Sequence, residues 1–327
     1  MFTNILFMIM IYFFSSKSNI HFNFLLNYII ILGTFNSFVT ILSANLPQIF
    51  DVQKYFLSQK TSSYTSFILT DGVIRARSLI ADYELTTEFL SISFLILISK
   101  FLNEKITPIK ILITIILSLG ILYSGSRSMI FLLSFGFLLF LGIYTISMKK
   151  HSFRLIPIYL VIAIAISILS FYAEEQINNI IFRIQNIKIY SGIIDNREWI
   201  WLLYLEEFFK NPILGNGYFR QSRINLTDSD PHSLYIHILF SFGILGFSLF
   251  VIFIGRMIKI IISTIKNSNF YIKNVAISIL VALLIFLIDQ YKITFLREEN
   301  YQLFIFLFFG IIFSLKKHSL KKQSDNM

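Results

Sequence analysis

Long apolar runs recur along the whole chain, and they constrain its fold more than any other feature. Each run has roughly the 17–25 residues that a helix needs to cross a membrane. The chain of 327 residues is 56% apolar and 14% charged, whereas a soluble domain is about 45–50% apolar and about 25% charged. The sequence therefore predicts an all-α polytopic membrane protein, with residues 1–327 as a single transmembrane domain. Nine spans are predicted, at 1–15, 22–44, 84–99, 108–124, 128–147, 155–173, 233–255, 274–290 and 300–315.

The basic residues predict how these spans are oriented. If the spans alternate in direction, Lys17, the Lys100–Lys110 group, Lys149 with Lys150, the Arg256–Lys273 segment and the C-terminal tail share one side. By the positive-inside rule that side is the cytoplasm. This rule explains at least part of the net charge of +10 without invoking nucleic acid. Met1–Phe14 has no basic start and no small-residue cleavage site, so no cleavable signal peptide is predicted. With this orientation the C-terminus is expected in the cytoplasm.

The outer segments 45–83, 125–127, 174–232 and 291–299 collect arginine rather than lysine. Of 18 Lys, 13 are predicted to be cytoplasmic, whereas 8 of 10 Arg are predicted to be external. The external arginines are Arg75, Arg77, Arg127, Arg183, Arg197, Arg220, Arg223 and Arg297. Because a guanidinium can grip phosphate or carboxylate oxygens with two parallel hydrogen bonds, this bias indicates an anion-binding outer face. The alternative is that each Arg only pairs with a nearby external Asp or Glu.

Two of the predicted outer segments are long, 45–83 and 174–232. The second contains a predicted amphipathic helix at about 196–210. Asp195 precedes Glu198 by three residues, as in a capping box, and Asn211-Pro212 ends the pattern. Its two tryptophans, Trp199 and Trp201, are typical of a helix at the membrane interface. Arg197 lies in the first turn, where the helix dipole disfavours a cation unless an anion is held there too. A simple pair of Arg197 with Asp195 or Glu198 is the alternative.

The segment "DSDPHSLYIHILFSFGILG" (228–246) begins the next span with a histidine. If Asp230 is the N-cap and Pro231 the first helical residue, His232 lies in the first turn. The helix dipole would then favour a neutral imidazole that can accept a proton, although Asp228 and Asp230 act in the opposite direction. Either His232 performs chemistry or it is only the polar edge of a membrane helix. Asp228 and Asp230 are a weak signal for a divalent metal, and the chain has no Cys for disulfides or thiolate ligands.

The segment "YSGSRSM" (123–129) forms a very short predicted external turn between two spans. It places Arg127 at the edge of the bilayer, where a charge is costly and is a functional hypothesis by default. The alternative is a snorkelling side chain at a helix end.

Four segments together resemble the O-antigen ligase and polymerase family, whose bacterial membrane glycosyltransferases join lipid-linked sugar repeats. They are "DGVIRARSLIADYELTTEFL" (71–90), "SGSRS" (124–128), "NREWIW" followed by "NPILGNGYF" (196–219), and "HSLYIHILFSFGILG" (232–246). The resemblance implies inverting glycosyl transfer at the outer face of a bacterial cytoplasmic membrane, without metal or other cofactor, from a glycan on undecaprenyl diphosphate. It implies that Arg127 and Arg197, with Arg75, bind the diphosphate and that His232 deprotonates the acceptor hydroxyl. Arg183, Arg220 and Asp230 are expected to support them.

The expected partners are undecaprenyl-diphosphate-linked glycans, membrane lipid and a chain-length regulator protein, but no nucleic acid. The leading hypothesis is a polymerase for O-antigen or capsule repeat units. A ligase that moves the glycan to lipid A-core differs only in its acceptor. A transporter or flippase of lipid-linked glycans would require charges buried at mid-membrane and internal repeat symmetry. A scaffold role would leave the external arginine bias unexplained.

Overall fold

The computed structural model describes residues 2–46, 76–80, 82–148, 155, 178, 197–217 and 231–324. Over these residues the protein is all-α, as predicted, and contains nine α-helices and one short 3₁₀ turn, Phe295–Arg297. The helices are α1 (Phe2–Ser16), α2 (Asn19–Asn45), α3 (Tyr83–Asn103), α4 (Pro108–Ser124), α5 (Arg127–Ser147), α6 (Arg197–Lys210), α7 (Leu234–Asn267), α8 (Phe270–Asp289) and α9 (Glu299–Ser324).

The helices coincide with eight of the nine predicted spans and with the predicted amphipathic helix. Six of them are long and apolar enough to cross a membrane, while Thr3–Ser16 and Pro108–Ser124 are apolar but shorter. The predicted span 155–173 lies outside the described residues, apart from Leu155. The all-α membrane class is therefore confirmed, and the number of spans stays a prediction.

Local signals set several of the helix ends. Thr107 accepts a hydrogen bond from the Lys110 amide (3.4 Å), and Pro108 opens α4. The same helix ends at Gly125, whose φ of 67° is left-handed. At the start of α3, the Asp82 carboxylate accepts from the amides of Glu84 (3.1 Å) and Leu85 (3.0 Å). Capping side chains and prolines thus fix the ends that sequence patterns can predict.

Helix α3 is the centre of the bundle. All residues of its apolar window are buried, and it packs against α2, α4, α5 and α8. Helix α8 in turn contacts α5, α7 and α9. The start of α3, α7 and α9 and the end of α8 are therefore held close together, at the end of the bundle that is predicted to face outward, and the candidate site is built there.

Helix α7 spans 34 residues but is interrupted. Gly243 has φ 64° and ψ −168°, which no α-helix contains, so the helix consists of a short N-terminal part and a longer C-terminal part. It packs against α6, α8 and α9. The break divides the helix next to the segment that carries His232.

Candidate active site

His232 lies just before α7, and its backbone is unusual. Its φ of 49° is the one positive value at a non-glycine residue in the described part of the chain. Left-handed backbone is uncommon outside glycine and costs on the order of 1–3 kcal/mol. Such conformations persist where surrounding contacts impose them, and they cluster at functional sites. The side chain is half-buried.

The predicted span 233–255 begins within one residue of α7, but the capping arrangement considered for it, with Asp230 as N-cap and Pro231 as the first helical residue, is wrong. Ser233, not Asp230, occupies the N-cap position, without a side-chain capping bond, and α7 begins at Leu234. His232 therefore precedes the N-cap and does not lie in the first turn. The physical reason is a tertiary contact, because the Leu234 amide donates to the carbonyl of Gln290 (2.9 Å). The dipole argument for a neutral imidazole, which required a first-turn position, does not apply in that form.

Two neighbouring elements hold the backbone on either side of His232. From α6, the indole Nε1 of Trp201 donates to the Pro231 carbonyl at 2.7 Å. From the end of α8, Gln290 accepts the Leu234 amide, and the Tyr235 hydroxyl donates to the Leu287 carbonyl. The position of His232 is thus set by the amphipathic helix on one side and by α8 on the other.

Gln290 connects this segment to a buried carboxyl group. Its Nε2 donates to both oxygens of Glu88, at 3.3 and 3.0 Å, and its Oε1 accepts the Phe295 amide at 2.8 Å. The Tyr301 hydroxyl donates to Glu88 Oε1 at 2.7 Å. Glu88, Gln290 and Tyr301 are all fully buried. Beside them, buried Asp289 pairs with Lys292 (2.9 Å).

Arg77 is the centre of a second cluster of buried charged side chains. Its side chain is 2% exposed, and Asp82 and Glu298 are buried as well. Burial lowers the pKa of the Arg77 guanidinium from its ordinary value, and the negative charges of Glu298 and Asp82 oppose that shift. An arginine remains charged under such conditions, so Arg77 is a buried cation near the N-terminal end of α3.

The segment that follows Arg75 lies against the "SGSRS" turn. The Ala76 amide donates to the Tyr123 carbonyl (3.1 Å), and the hydroxyls of Thr87 and Ser124 form a hydrogen bond. The first and second motif segments are therefore neighbours, with α3 between this turn and Gln290.

The third and fourth motif segments interlock at the break in α7. The amides of Asn216 and Gly217 donate to the carbonyls of Phe240 (2.7 Å) and Ser241 (3.0 Å). In the other direction, the amides of Ile244 and Leu245 donate to the carbonyls of Pro212 (2.8 Å) and Ile213 (3.2 Å). The loop 211–217 thus satisfies backbone groups that the interruption would leave without partners, which is the condition for a broken helix in a membrane.

Steric contact explains why glycine stands at the break. A Cβ on Gly243 would lie 2.2 Å from the Ile213 carbonyl oxygen, and its positive φ disfavours any other residue. The side chain of Asn216 completes the junction, since it donates to the Glu207 carbonyl (2.9 Å) and accepts from Asn211 (2.8 Å).

Of the arginines predicted to bind diphosphate, the structure describes only the backbone of Arg127 and Arg197. Arg197 is the first residue of α6, within the first turn that the sequence predicted for it, whereas Arg127, predicted in the turn before a span, is the first residue of α5. Both occupy helix N-termini, where free amides favour an anion. Their side chains, and the whole of Arg75, Arg183, Arg220 and Asp230, lie outside the described part. Their roles stay predictions. Among the described residues, no group of three or more His, Asp or Glu side chains is arranged to hold a metal ion.

Sequence reasoning missed Glu88, Gln290 and Tyr301. One signal was available for Glu88, since it is a carboxyl group inside the predicted span 84–99 and within the motif 71–90. Ionisable residues inside spans are functional candidates by default. Gln290 and Tyr301 carry no such local signal, because their importance comes from three elements that meet in space.

The helices and the hydrogen-bonded site define a multi-pass membrane protein with a polar site at one end of its bundle. The sequence model described as O-antigen ligase matches residues 112–251. The match includes Arg127, Arg197 and His232, confirms the resemblance, and supports the O-antigen ligase/polymerase family for this chain. Members of this family are membrane glycosyltransferase-like enzymes that act on lipid-linked glycans. The helices and the family together indicate a bacterial inner membrane protein. No curated protein matches the chain.

Proposed function

We propose that the protein is a polymerase that joins undecaprenyl-diphosphate-linked oligosaccharide repeat units of O-antigen or capsular polysaccharide. The observation that carries the proposal is the convergence of four motif segments through hydrogen bonds. Thr87 bonds to Ser124, Glu88 bonds through Gln290 to Leu234, and Asn216 bonds to Phe240. Trp201 also bonds to Pro231, the residue before the fourth segment. These bonds bring together segments that are far apart in the sequence, which supports a common site.

The proposed reaction is an inverting displacement at the anomeric carbon of the donor sugar. An acceptor hydroxyl attacks that carbon while the bond from the carbon to the diphosphate oxygen breaks. His232 takes the proton of the hydroxyl, and the diphosphate leaves on its lipid. A positioned base of this kind contributes about 10²–10⁴-fold to a rate. The contacts of Pro231 and Leu234 support this role because they fix the backbone of the base.

Negative charge develops on the leaving diphosphate, and the proposal assigns its stabilisation to Arg127 and Arg197, with Arg75. Two of these arginines begin helices, where amide groups and the helix dipole add to the charge of the guanidinium. Cations positioned in this way lower the barrier without a metal ion. The proposal is therefore metal-independent, and the site faces outward by the positive-inside rule.

The description of the matching family gives specific support to a second candidate, an O-antigen ligase. The same donor and the same base would serve, and only the acceptor would change to lipid A-core. A glycan transporter is supported less. Glu88 lies only about 8 Å from the start of α3 at 1.5 Å per residue, well short of the midplane at which transporters bind their substrates.

The test uses purified protein in lipid nanodiscs with one defined undecaprenyl-diphosphate repeat unit and excess chelator. A ladder of lengthened products supports the polymerase. Product that forms only after addition of lipid A-core supports the ligase. An absolute need for Mg²⁺ would overturn the metal-independent mechanism, and directional transport without any transfer would overturn both enzyme proposals.

A further inference from the structure

The end of α8 contacts the segment that carries the proposed base. Gln290 follows Asp289, the last residue of α8, and is fully buried. Its backbone carbonyl accepts the amide of Leu234, two residues after His232 (2.9 Å). We propose that Gln290 is a positioning residue of the transfer reaction and that Glu88 fixes its side chain for this task. The inference rests on the proposed function, because it takes His232 as the base.

Gln290 joins three elements because its side chain both donates and accepts hydrogen bonds. Its Nε2 donates to the Glu88 carboxyl group of α3 (3.0 and 3.3 Å), and its Oε1 accepts the Phe295 amide of the 3₁₀ turn (2.8 Å). Its backbone carbonyl holds α7 at Leu234. An ionised glutamate would offer acceptors only, and a methionine of similar size has no N–H or O–H donor. Glutamine is therefore suited to this position in a way that neither of these side chains is.

The start of α7 depends on the end of α8 for its position. The N-cap residue Ser233 makes no side-chain capping bond, and the Leu234 amide is held by Gln290 instead. One residue further on, the Tyr235 hydroxyl donates to a carbonyl in the last turn of α8. The left-handed backbone of His232 persists where surrounding contacts impose it. A displacement of the end of α8 would therefore displace the base, and an error of about 1 Å can cost about 10²-fold in rate.

Glu88 is the anchor of the Gln290 side chain. It is fully buried in α3, the central helix of the bundle, and its Oε1 also accepts the Tyr301 hydroxyl of α9 (2.7 Å). An ionisable group inside a span is costly and is a functional hypothesis by default. At the other end of the same helix pair, the contact is between two neutral amides, since Asn274 of α8 donates to Asn103 of α3 (2.7 Å). Contact between these two helices therefore does not require a carboxyl group.

The experiment measures kcat and KM of purified protein in lipid nanodiscs with one defined lipid-linked repeat unit. Gln290→Glu removes the donor to Glu88, so kcat should fall about 10- to 100-fold while KM stays close to that of the wild type. Asn274→Asp is the matched control, because it also changes a buried amide of α8 that bonds to α3 into a carboxyl group. It lies 16 residues from Gln290, about 24 Å at 1.5 Å per residue. The control should lower the melting temperature to a comparable extent and leave kcat unchanged.

A double variant tests whether the contact itself matters. Glu88→Gln/Gln290→Glu exchanges the donor and the acceptor across the hydrogen bond. The amide at position 88 can donate to the carboxylate at position 290 and still accept the Tyr301 hydroxyl, while position 290 still accepts the Phe295 amide. The double variant should therefore recover at least about 10-fold of the lost kcat.

Three kinetic results would overturn the inference: an unchanged kcat in Gln290→Glu, an equal loss of kcat in Asn274→Asp, or no recovery in the double variant. Amide hydrogen exchange of the wild type tests the same contacts even if a variant does not fold. The amides of Leu234 and Phe295 should exchange much more slowly than those of exposed loops, and fast exchange would also overturn the inference. Absence of product from the wild type would instead overturn the proposed function, together with the base that Gln290 positions.

Discussion

Trp201 donates a 2.7 Å hydrogen bond from its indole Nε1 to the carbonyl of Pro231, the residue before His232. The amphipathic helix is therefore joined directly to the segment of the proposed base. The same ring meets Tyr291 edge-on, with centroids 5.0 Å apart. A tryptophan that the sequence predicts at the membrane interface thus also helps to position the candidate site.

Trp201→Phe should lower the transfer rate about 10-fold while the protein remains in the membrane. Phenylalanine keeps an aromatic ring against Tyr291 but cannot donate to Pro231, so the backbone before His232 loses one restraint. The rate is measured with purified protein and a defined lipid-linked repeat unit. Trp199→Phe is the matched control because Trp199 is 54% exposed. Equal losses in both variants would show that the hydrogen bond does not matter.

His232→Asn should abolish detectable polymer, a loss of about 10²–10⁴-fold. Asparagine is chosen because it tolerates the left-handed backbone that His232 adopts, so the loss of the base is separated from strain. The readout is the polymer ladder on a gel, with membrane abundance measured in parallel. A normal ladder from His232→Asn would remove this residue from the mechanism.

Arg197→Lys should be much less active than wild type, although it keeps the positive charge. Lysine cannot form the two parallel bonds with which a guanidinium holds a phosphate. Arg256→Lys, on the opposite end of the bundle, is the control and should keep wild-type activity. Near-normal activity of Arg197→Lys would indicate that Arg197 makes only a surface ion pair.

Gly243→Ala should destabilise the protein by more than the 1–3 kcal/mol of its backbone strain. The added methyl group meets the Ile213 carbonyl oxygen at 2.2 Å and displaces the loop 211–217 from the helix break. Gly255→Ala lies in the same helix, and its Cβ would meet nothing within 4 Å. The Gly255→Ala variant should therefore melt at or above the melting temperature of the wild type. Thermal unfolding in detergent measures both, and equal melting temperatures would show that the junction is not rigid.

Tyr301→Phe should lower the free energy of unfolding by about 1–3 kcal/mol. Glu88 then loses one of the donors to its buried carboxyl group, and such a group is costly to leave unsatisfied. Tyr28→Phe, at a ring that is 41% exposed, is the control. No difference between the two variants would contradict a structural role for the Glu88 contacts.

Local signals allowed much of the helical framework to be predicted. The predicted span 108–124 matches α4 because Thr107, Pro108 and Gly125 mark its ends within the sequence itself. Helix α7 was predicted to end at 255 because a span was taken to stop where the hydrocarbon ends. It continues to Asn267 as a helix that carries Arg256, Lys259 and Lys266. Apolar length predicts where a helix enters a bilayer, but not how far it extends beyond it.

The site was less predictable because its contacts join distant segments. From the local sequence alone, Asp230 and Pro231 are a plausible helix start. The hydrogen bond from the Leu234 amide to the Gln290 carbonyl instead determines where α7 begins. Gly243 resembles any small residue in a packed span, and only the loop 211–217 makes a break there tolerable. The motif segments indicated which parts of the chain would meet, whereas the buried Glu88 group that joins them required the structure.

The junction at Gly243 also has a consequence for biogenesis. Residues 211–217 precede α7 in the chain, so ribosomal synthesis delivers the loop before the turn that it must complete. The open carbonyls of Phe240 and Ser241 can therefore be satisfied as soon as the helix enters the bilayer. A circular permutation that moved the loop behind α7 would reverse this order and leave an unpaired turn in lipid during insertion.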